Sequence, residues 1–416
     1  MAERQLTQSP RAPWRAFVRA LRWWGRVLVV YALSRLVTTA LLAAFAVVQA
    51  RETGDPVPDL FTLAANWDGQ WYWLIAVAGY PSELPVDQLG HVTENAWAFM
   101  PVFPMLLSPF VRLGLPFPVL AVLLSLVAGA VAALLFERLL RSAGLDAASA
   151  LFGVVLLCTA PVSPLFQLAY AEALGLALLF LALLLVQRRR FGLLLPVIVL
   201  AALTRPAGLA FALFLLLYLV TRLVRWWRHP GAHPLSVREF TGIVTAGLTS
   251  FVAGLAWPGI AGAVTGSVTA YTDTELAWRA GYVGHGELVP FAGWFEGLAF
   301  WLRFMGVPSG AGMPLAVLAV VVTVGVFAVF LVSPSGRRLG VEVRLWLVSY
   351  LVYLMAVFFP QSSTWRLLLP LAPALGAFAL PRSWAFRVAL VVLGIVGQGV
   401  WLYFCWIRMP GDWSPP

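Results

Sequence analysis

Apolar runs long enough, or nearly long enough, to cross a bilayer lie at about 27–49, 118–137, 147–163, 165–187, 191–204, 207–224, 240–262, 312–332, 343–359, 367–380 and 387–407. No other feature restricts the backbone as much. Hydrocarbon offers no hydrogen-bond partners, so a spanning segment must satisfy its own N–H and C=O groups as a helix or in a closed barrel. Runs of this length fit helices rather than the ~10-residue strands of a barrel. The expected fold is therefore all-α, a polytopic transmembrane helical bundle of about eleven spans forming one domain over 1–416. The runs at 191–204 and 367–380 are short for a ~20-residue span and need buried neighbours. The stretch 98–114 is apolar but broken by Pro101, Pro104 and Pro109, and reads as an interfacial or re-entrant piece. Composition agrees: 61% of residues are apolar and 11% charged, against about 25% charged in a soluble domain.

The charges carry a second message. All 28 basic residues are arginine, and the net charge is +10. A nucleic-acid partner needs a polar basic face, whereas these arginines punctuate apolar runs, as topogenic charges do; no nucleic acid is expected. With the amino terminus in the cytoplasm, the inner segments are 1–26, 138–146, 188–190, 222–238, 333–342 and 381–387. They hold Arg4, Arg11, Arg15, Arg19, Arg22 and Arg26, Arg138 and Arg141, the triplet 188–190, then Arg222, Arg225, Arg228 and Arg238. Arg337, Arg338, Arg382 and Arg387 complete the set. The outer segment 50–97 has one arginine, Arg51, against seven acids. Eleven spans put the carboxyl terminus outside. The expected location is a plasma membrane, of a bacterium to judge from the Arg-, Ala-, Leu- and Val-rich usage. The first ~26 residues resemble the n-region of a signal peptide, but without an evident cleavage site they read as the flank of an uncleaved first span. Cys158 and Cys405 lie far apart inside apolar runs and offer neither a disulfide framework nor a CxxC metal site.

Two outer loops are large enough to hold a site, 50–97 and about 263–311. The first contains Asn66-Trp67-Asp68-Gly69-Gln70-Trp71-Tyr72-Trp73, which suits an amphipathic helix at the membrane surface. Asp68 has two readings there. It is a helix N-cap accepting backbone N–H groups, or a general base whose pKa rises with burial among tryptophans and falls beside an arginine. Glu94 precedes an aromatic–proline stretch, Trp97 to Pro104. Tyr170 and Glu172 fall near the outer end of the fourth span, Arg205 in the turn between the fifth and sixth, and Arg366 in the turn before the tenth. Arginines on the outer side are exceptions to the charge rule. Each is either half of an internal salt bridge, Arg205 with Glu172 for example, or a bidentate grip on phosphate. Tyr170 also reads as an interface anchor and Glu172 as a structural carboxylate. The second loop offers Tyr271, Asp273, Glu275, His285, Glu287 and Trp294. Lone histidines with scattered carboxylates are weak metal signals, so His91 and His285 read as solvated loop residues and no metal or other cofactor is expected. P-loop, GxGxxG, HExxH and GxSxG patterns are missing.

Taken in order, Trp67-Asp68, Tyr72, Ile75-Ala76, Gly79-Tyr80, then Phe99, Pro101, Phe103-Pro104, Ala169-Tyr170-Ala171-Glu172-Ala173-Leu174, Arg205 with Gly208, and the Gln361–Arg366 turn resemble the PIG-V family of mannosyltransferases, in the GT-C class of polytopic glycosyltransferases. The resemblance is spread over most of the chain. It implies a GT-C-like fold, a polyprenyl-phosphate-linked sugar donor, a lipid or glycan acceptor, and a first-loop aspartate at the outer face. Asp68 would be catalytic, with Trp67, Trp71, Tyr72, Glu94, Tyr170, Glu172, Arg205 and Arg366 binding substrate. Eukaryotic members have a histidine three residues after the aspartate, where this chain has Trp71, so acceptor contacts differ. The rival readings are a transporter or flippase of lipid-linked substrates, a non-catalytic scaffold, and a GT-C transferase of another sugar. A transporter pathway places paired charges through mid-membrane; here the non-topogenic charges gather at the outer side.

Overall fold

The computed structural model describes residues 22–411 and is all-helical; apart from an isolated Val86–Val92 bridge, the described residues contain no β-structure. The principal helices are α1 (Trp23–Thr53), α2 (Leu60–Ala64), α3 (Asp68–Ala78), α4 (Val102–Arg112), α5 (Phe117–Ser142), α6 (Ala147–Thr159), α7 (Glu172–Gln187) and α8 (Phe191–Ala202). They continue with α9 (Gly208–Arg228), α10 (Val237–Thr265), α11 (Ala270–Val283), α12 (Gly293–Phe304), α13 (Ser309–Val332), α14 (Gly340–Val357) and α15 (Trp384–Trp401). Seven are long and apolar enough to cross a membrane: α1, α5, α9, α10, α13, α14 and α15 with its continuation to Trp406. They coincide with seven of the eleven predicted runs. The chain is thus a polytopic helical membrane protein, and its exposed Val and Leu side chains along α13 face outward as lipid contact demands.

The other four runs form shorter helices. Runs 147–163 and 165–187 were expected to be two spans almost touching; instead α6 stops at Thr159 and α7 starts at Glu172. Pro161 and Pro164 supply the reason, since proline lacks an N–H and forces its predecessor out of the helical region. Ala160 accordingly sits at ψ 151°. The irregular segment that follows is buried almost throughout, the only setting in which such backbone is tolerated at this depth. Arg35 of α1 binds it in place. Its guanidinium donates to the Cys158 carbonyl at 3.0 Å, an oxygen at the end of α6, and to the Ser163 carbonyl at 2.7 Å in the segment beyond it. Pro370 and Pro373 likewise turn the run 367–380 into a 3-10 segment, Leu369–Ala374, and a single helical turn, Leu375–Phe378.

α5 packs on α1, α6 and α7; α10 packs on α8 and α9; α14 closes the bundle against α9. Arg138 at the end of α5 lies over the ring of Trp23 at the start of α1, 3.4 Å from its centroid. Glu239 gathers Arg222 at 2.7 Å and Arg189 at 3.2 Å, and Arg382 approaches Asp146 at 3.8 Å. These arginine-rich helix ends lie opposite the 50–97 loop, which joins α1 through a 3.2 Å bond from Asn66 to Gln49. Arg4, Arg11, Arg15 and Arg19 fall outside the described residues.

One crossing sets how closely the helices enclose the centre. A Cβ on Gly208 would lie 2.6 Å from the Gly254 Cα, and one on Gly254 would lie 2.8 Å from the Leu209 nitrogen. α9 and α10 therefore touch backbone to backbone, with Ser250 donating to the Gly208 carbonyl at 2.8 Å. Gly254→Val should lower stability by about 1–3 kcal/mol, read as a fall in melting temperature in detergent. Gly259→Ala in the same helix, where a Cβ meets open space, should leave it unchanged or raise it by up to about 1 kcal/mol. Equal melting temperatures for the two variants would refute the close crossing.

Candidate active site

Asp59 starts the site by capping α2, accepting from the Phe61 and Thr62 N–H groups at 2.9 and 3.0 Å. The chain then turns sharply, and Trp67 adopts φ 56°, ψ −118°, a conformation that costs a bulky residue about 1–3 kcal/mol. Its neighbours hold it there. The Trp67 indole donates to the Trp406 carbonyl at 2.7 Å, the Trp406 indole donates to the Leu63 carbonyl at 3.0 Å, and the Asp68 N–H donates to the Tyr170 hydroxyl at 3.1 Å. The strained turn makes Asp68 the first residue of α3 rather than its N-cap. Its carboxylate caps no helical N–H and turns instead to Arg366. Of the two readings of Asp68, the cap is excluded.

Four charged side chains follow in alternation. Arg366 Nη1 contacts Asp68 Oδ2 and lies 3.4 Å from Glu172 Oε1; Arg205 Nη2 lies 3.3 Å from the same Glu172 oxygen. Each comes from a different place. Asp68 opens α3, Glu172 opens α7, where the helix dipole favours an anion, Arg205 sits in the turn between α8 and α9, and Arg366 follows α14. The guanidinium of Arg366 also lies over the Tyr170 ring, 5.3 Å from its centroid. Burial pushes the Asp68 carboxyl above the ordinary carboxylate range; Arg366 opposes that shift and Glu172 adds to it. Burial disfavours charge on Arg366, but Asp68 and Glu172 outweigh it and hold the guanidinium firmly protonated.

These groups face a cavity of about 970 Å³ whose polar end is lined by Asp68, Glu94, Glu172, Arg205, Glu275 and Arg366. Away from them along α7 the wall is apolar, running past Leu176 and Leu179 of α7, Ile198 of α8 and Leu255 of α10. Four buried polar atoms on its lining residues have no partner among the described residues: Glu172 Oε2, Trp278 Nε1, Gln361 Oε1 and Arg366 Nε. Buried polar atoms are normally bonded, so these donors and acceptors are open to hydrogen bonds with water or with a molecule in the cavity. Partial burial, and then Asp68, raise the Glu94 carboxyl.

Seven of the nine expected site residues line this cavity: Trp67, Asp68, Trp71, Glu94, Glu172, Arg205 and Arg366. Tyr72 and Tyr170 do not. Both are fully buried, edge-on to each other at 6.3 Å, and the Tyr170 hydroxyl supports Asp68 by accepting its N–H, so the tyrosine is no surface anchor. The salt bridge weighed for Arg205 and Glu172 is present, and Glu172 serves as the shared carboxylate between two arginines. From the second outer loop, α11 contributes Tyr271, Glu275, Trp278 and Arg279. Arg279 and a role for Glu275 are additions of the structure to the expected set. Their signal was the spacing 271, 275, 279, one face of a helix carrying an aromatic, an acid and a base. Burial raises the Glu275 carboxyl, with a hydrogen bond from Tyr271 working against it. Trp294 is structural, donating to the Leu354 carbonyl at 2.9 Å.

Comparison with protein-family models, curated proteins and solved structures finds no match for this chain.

The alternating charges make a measurable demand. Asp68→Asn and Arg366→Met should each destabilise the protein, and the double variant should lose less than the sum, with a coupling of about 1–3 kcal/mol by unfolding in detergent. Strict additivity would mean that the two groups do not interact.

Proposed function

We propose that the chain is a membrane glycosyltransferase of the GT-C type, in which Asp68 activates an acceptor hydroxyl against a sugar carried on a polyprenyl phosphate. The observation carrying the reading is the Asp68–Arg366–Glu172–Arg205 chain at the polar end of a cavity whose other end is apolar. A lipid-linked sugar has the same division, with a polar head, a phosphate and a long hydrocarbon tail.

In this reading Asp68 takes the proton of the acceptor hydroxyl while its oxygen attacks the anomeric carbon. The new C–O bond forms as the bond to the phosphate oxygen breaks on the opposite side, so the anomeric configuration inverts. Polyprenyl phosphate leaves with the bonding electrons. Charge growing on it is met by Arg205 and by the unpartnered Nε of Arg366. The acid-rich 50–97 segment, set against arginine-rich segments elsewhere in the chain, supports an extracytoplasmic site, where lipid-linked donors replace nucleotide sugars. The sugar proposed is mannose, as the PIG-V resemblance implies, and the acceptor is a lipid or glycan.

The test is transfer of labelled sugar from polyprenyl-phosphate mannose to membrane lipid or glycan in proteoliposomes. Asp68→Asn should lower turnover by about 10²–10⁴-fold at unchanged expression, and Arg205→Ala should raise the KM for donor. Full activity in Asp68→Asn would remove the aspartate from the mechanism. Movement of intact donor across the bilayer without a new glycosidic bond would make the protein a flippase.

The pH dependence has a definite sign. A base works unprotonated, and the Asp68 pKa is raised. Activity should therefore fall on acidification along a limb above the ~3.9 of a free aspartate. The limb is read from kcat/KM against pH; one at or below the free value would contradict the buried base.

A further inference from the structure

The two outer loops meet again outside the charged chain. Residues 85–93 form a tight turn in which the Asp87 N–H donates to the His91 carbonyl and the Thr93 N–H to the Pro85 carbonyl, both at 2.9 Å. Within it Asp87 Oδ1 accepts the N–H groups of Leu89 at 2.8 Å and His91 at 2.9 Å. These bonds fix the carboxylate and leave Oδ2 facing His91 Nδ1 at 3.3 Å. From the other loop, Gly284 ends α11 at φ 79° and sends His285 across to this turn. The two imidazoles stack with centroids 3.9 Å apart, and one ligand atom from each of Asp87, His91 and His285 lies within 4.8 Å of the others. The whole chain has only 4 histidines. Two of them meeting across separate loops, beside a carboxylate already held in orientation, is not a by-product of abundance.

We infer that Asp87, His91 and His285 form a site for a divalent transition metal of the zinc class, clasping the first outer loop to the second. Bonds of about 2.0–2.2 Å at tetrahedral angles put neighbouring donors roughly 3.3 Å apart, the separation the Asp87–His91 pair already has. The exposed His285 ring needs only to swing from its stacked position to present a nitrogen. Two imidazoles with one carboxylate favour Zn²⁺ over the all-oxygen preferences of Mg²⁺ and Ca²⁺, and the remaining coordination is open to water. Tyr282 and Leu288, on either side of His285, line the central cavity. A bound ion therefore restrains the cavity border, and the inference holds whatever reaction the cavity performs.

The experiment is Zn²⁺ titration by calorimetry on the detergent-solubilised full chain with its purification tag removed. One equivalent should bind, and His91→Ala and His285→Ala should each weaken it at least about tenfold, no less than loss of a mere supporting partner costs a zinc site. Asp68→Asn, in the cavity, should bind Zn²⁺ as the unaltered chain does. Added Zn²⁺ should also slow proteolysis of the 284–292 segment, and not in His285→Ala. The metal-free melting temperatures of the variants, expected to match the parent because the side chains are at the surface, separate lost ligation from misfolding. No binding, or binding equally strong in both histidine variants, overturns the site.

Discussion

Two arginines and two carboxylates, drawn from four widely separated parts of the chain, share one buried cluster, and the bundle is arranged around keeping them together. Glu172 is the pivot because it meets both Arg205 and Arg366. Removing Arg366 leaves Asp68 without its arginine in a poorly solvated place, a far larger penalty than a surface ion pair incurs, whereas removing Arg205 leaves Glu172 its contact with Arg366. The buried irregular segment between α6 and α7, tied down by Arg35, exists to deliver Tyr170 and Glu172 to this point. The backbone contact between Gly208 and Gly254 positions the turn that carries Arg205.

Much of this was legible in the residues. Apolar length alone located seven long helices, because a helix in lipid has no alternative way to satisfy its backbone. Arginines at odds with the charge rule marked Arg205 and Arg366, since a cation on the acidic side needs a local reason. The rest depended on what a linear pattern conceals. The aromatic surroundings of Asp68 did not reveal that Trp67 takes a positive φ and so denies the aspartate its cap. Tyr170 read as an interface anchor because amphipathic tyrosine fits both an interface and a core. Hydropathy averaging hid the effect of Pro161 and Pro164, although both prolines stood in plain view. The meeting of His91 with His285 is tertiary, and no local signal announces it.

Strain at Trp67 is sustained from the far end of the chain. The Trp406 carbonyl and indole bind Trp67 and Leu63, and the Arg408 N–H shares Gln49 with Asn66 at 2.9 Å. Trp406 ends a π-helical turn, Leu402–Trp406, a geometry that often accompanies functional sites. The last helix thus shapes the loop after the first one.

This wiring orders events during biosynthesis. Asp68 and Arg366 are 298 residues apart, so at about 5–20 residues per second the aspartate waits roughly 15–60 s for its counter-charge to emerge from the ribosome. Through that interval Asp68 has no arginine to neutralise it, whereas Glu172 can already meet Arg205, and the aspartate must stay protonated or wet. A chain truncated before Arg366 never leaves that condition, so the same contact that organises the finished molecule also distinguishes it from an incomplete one.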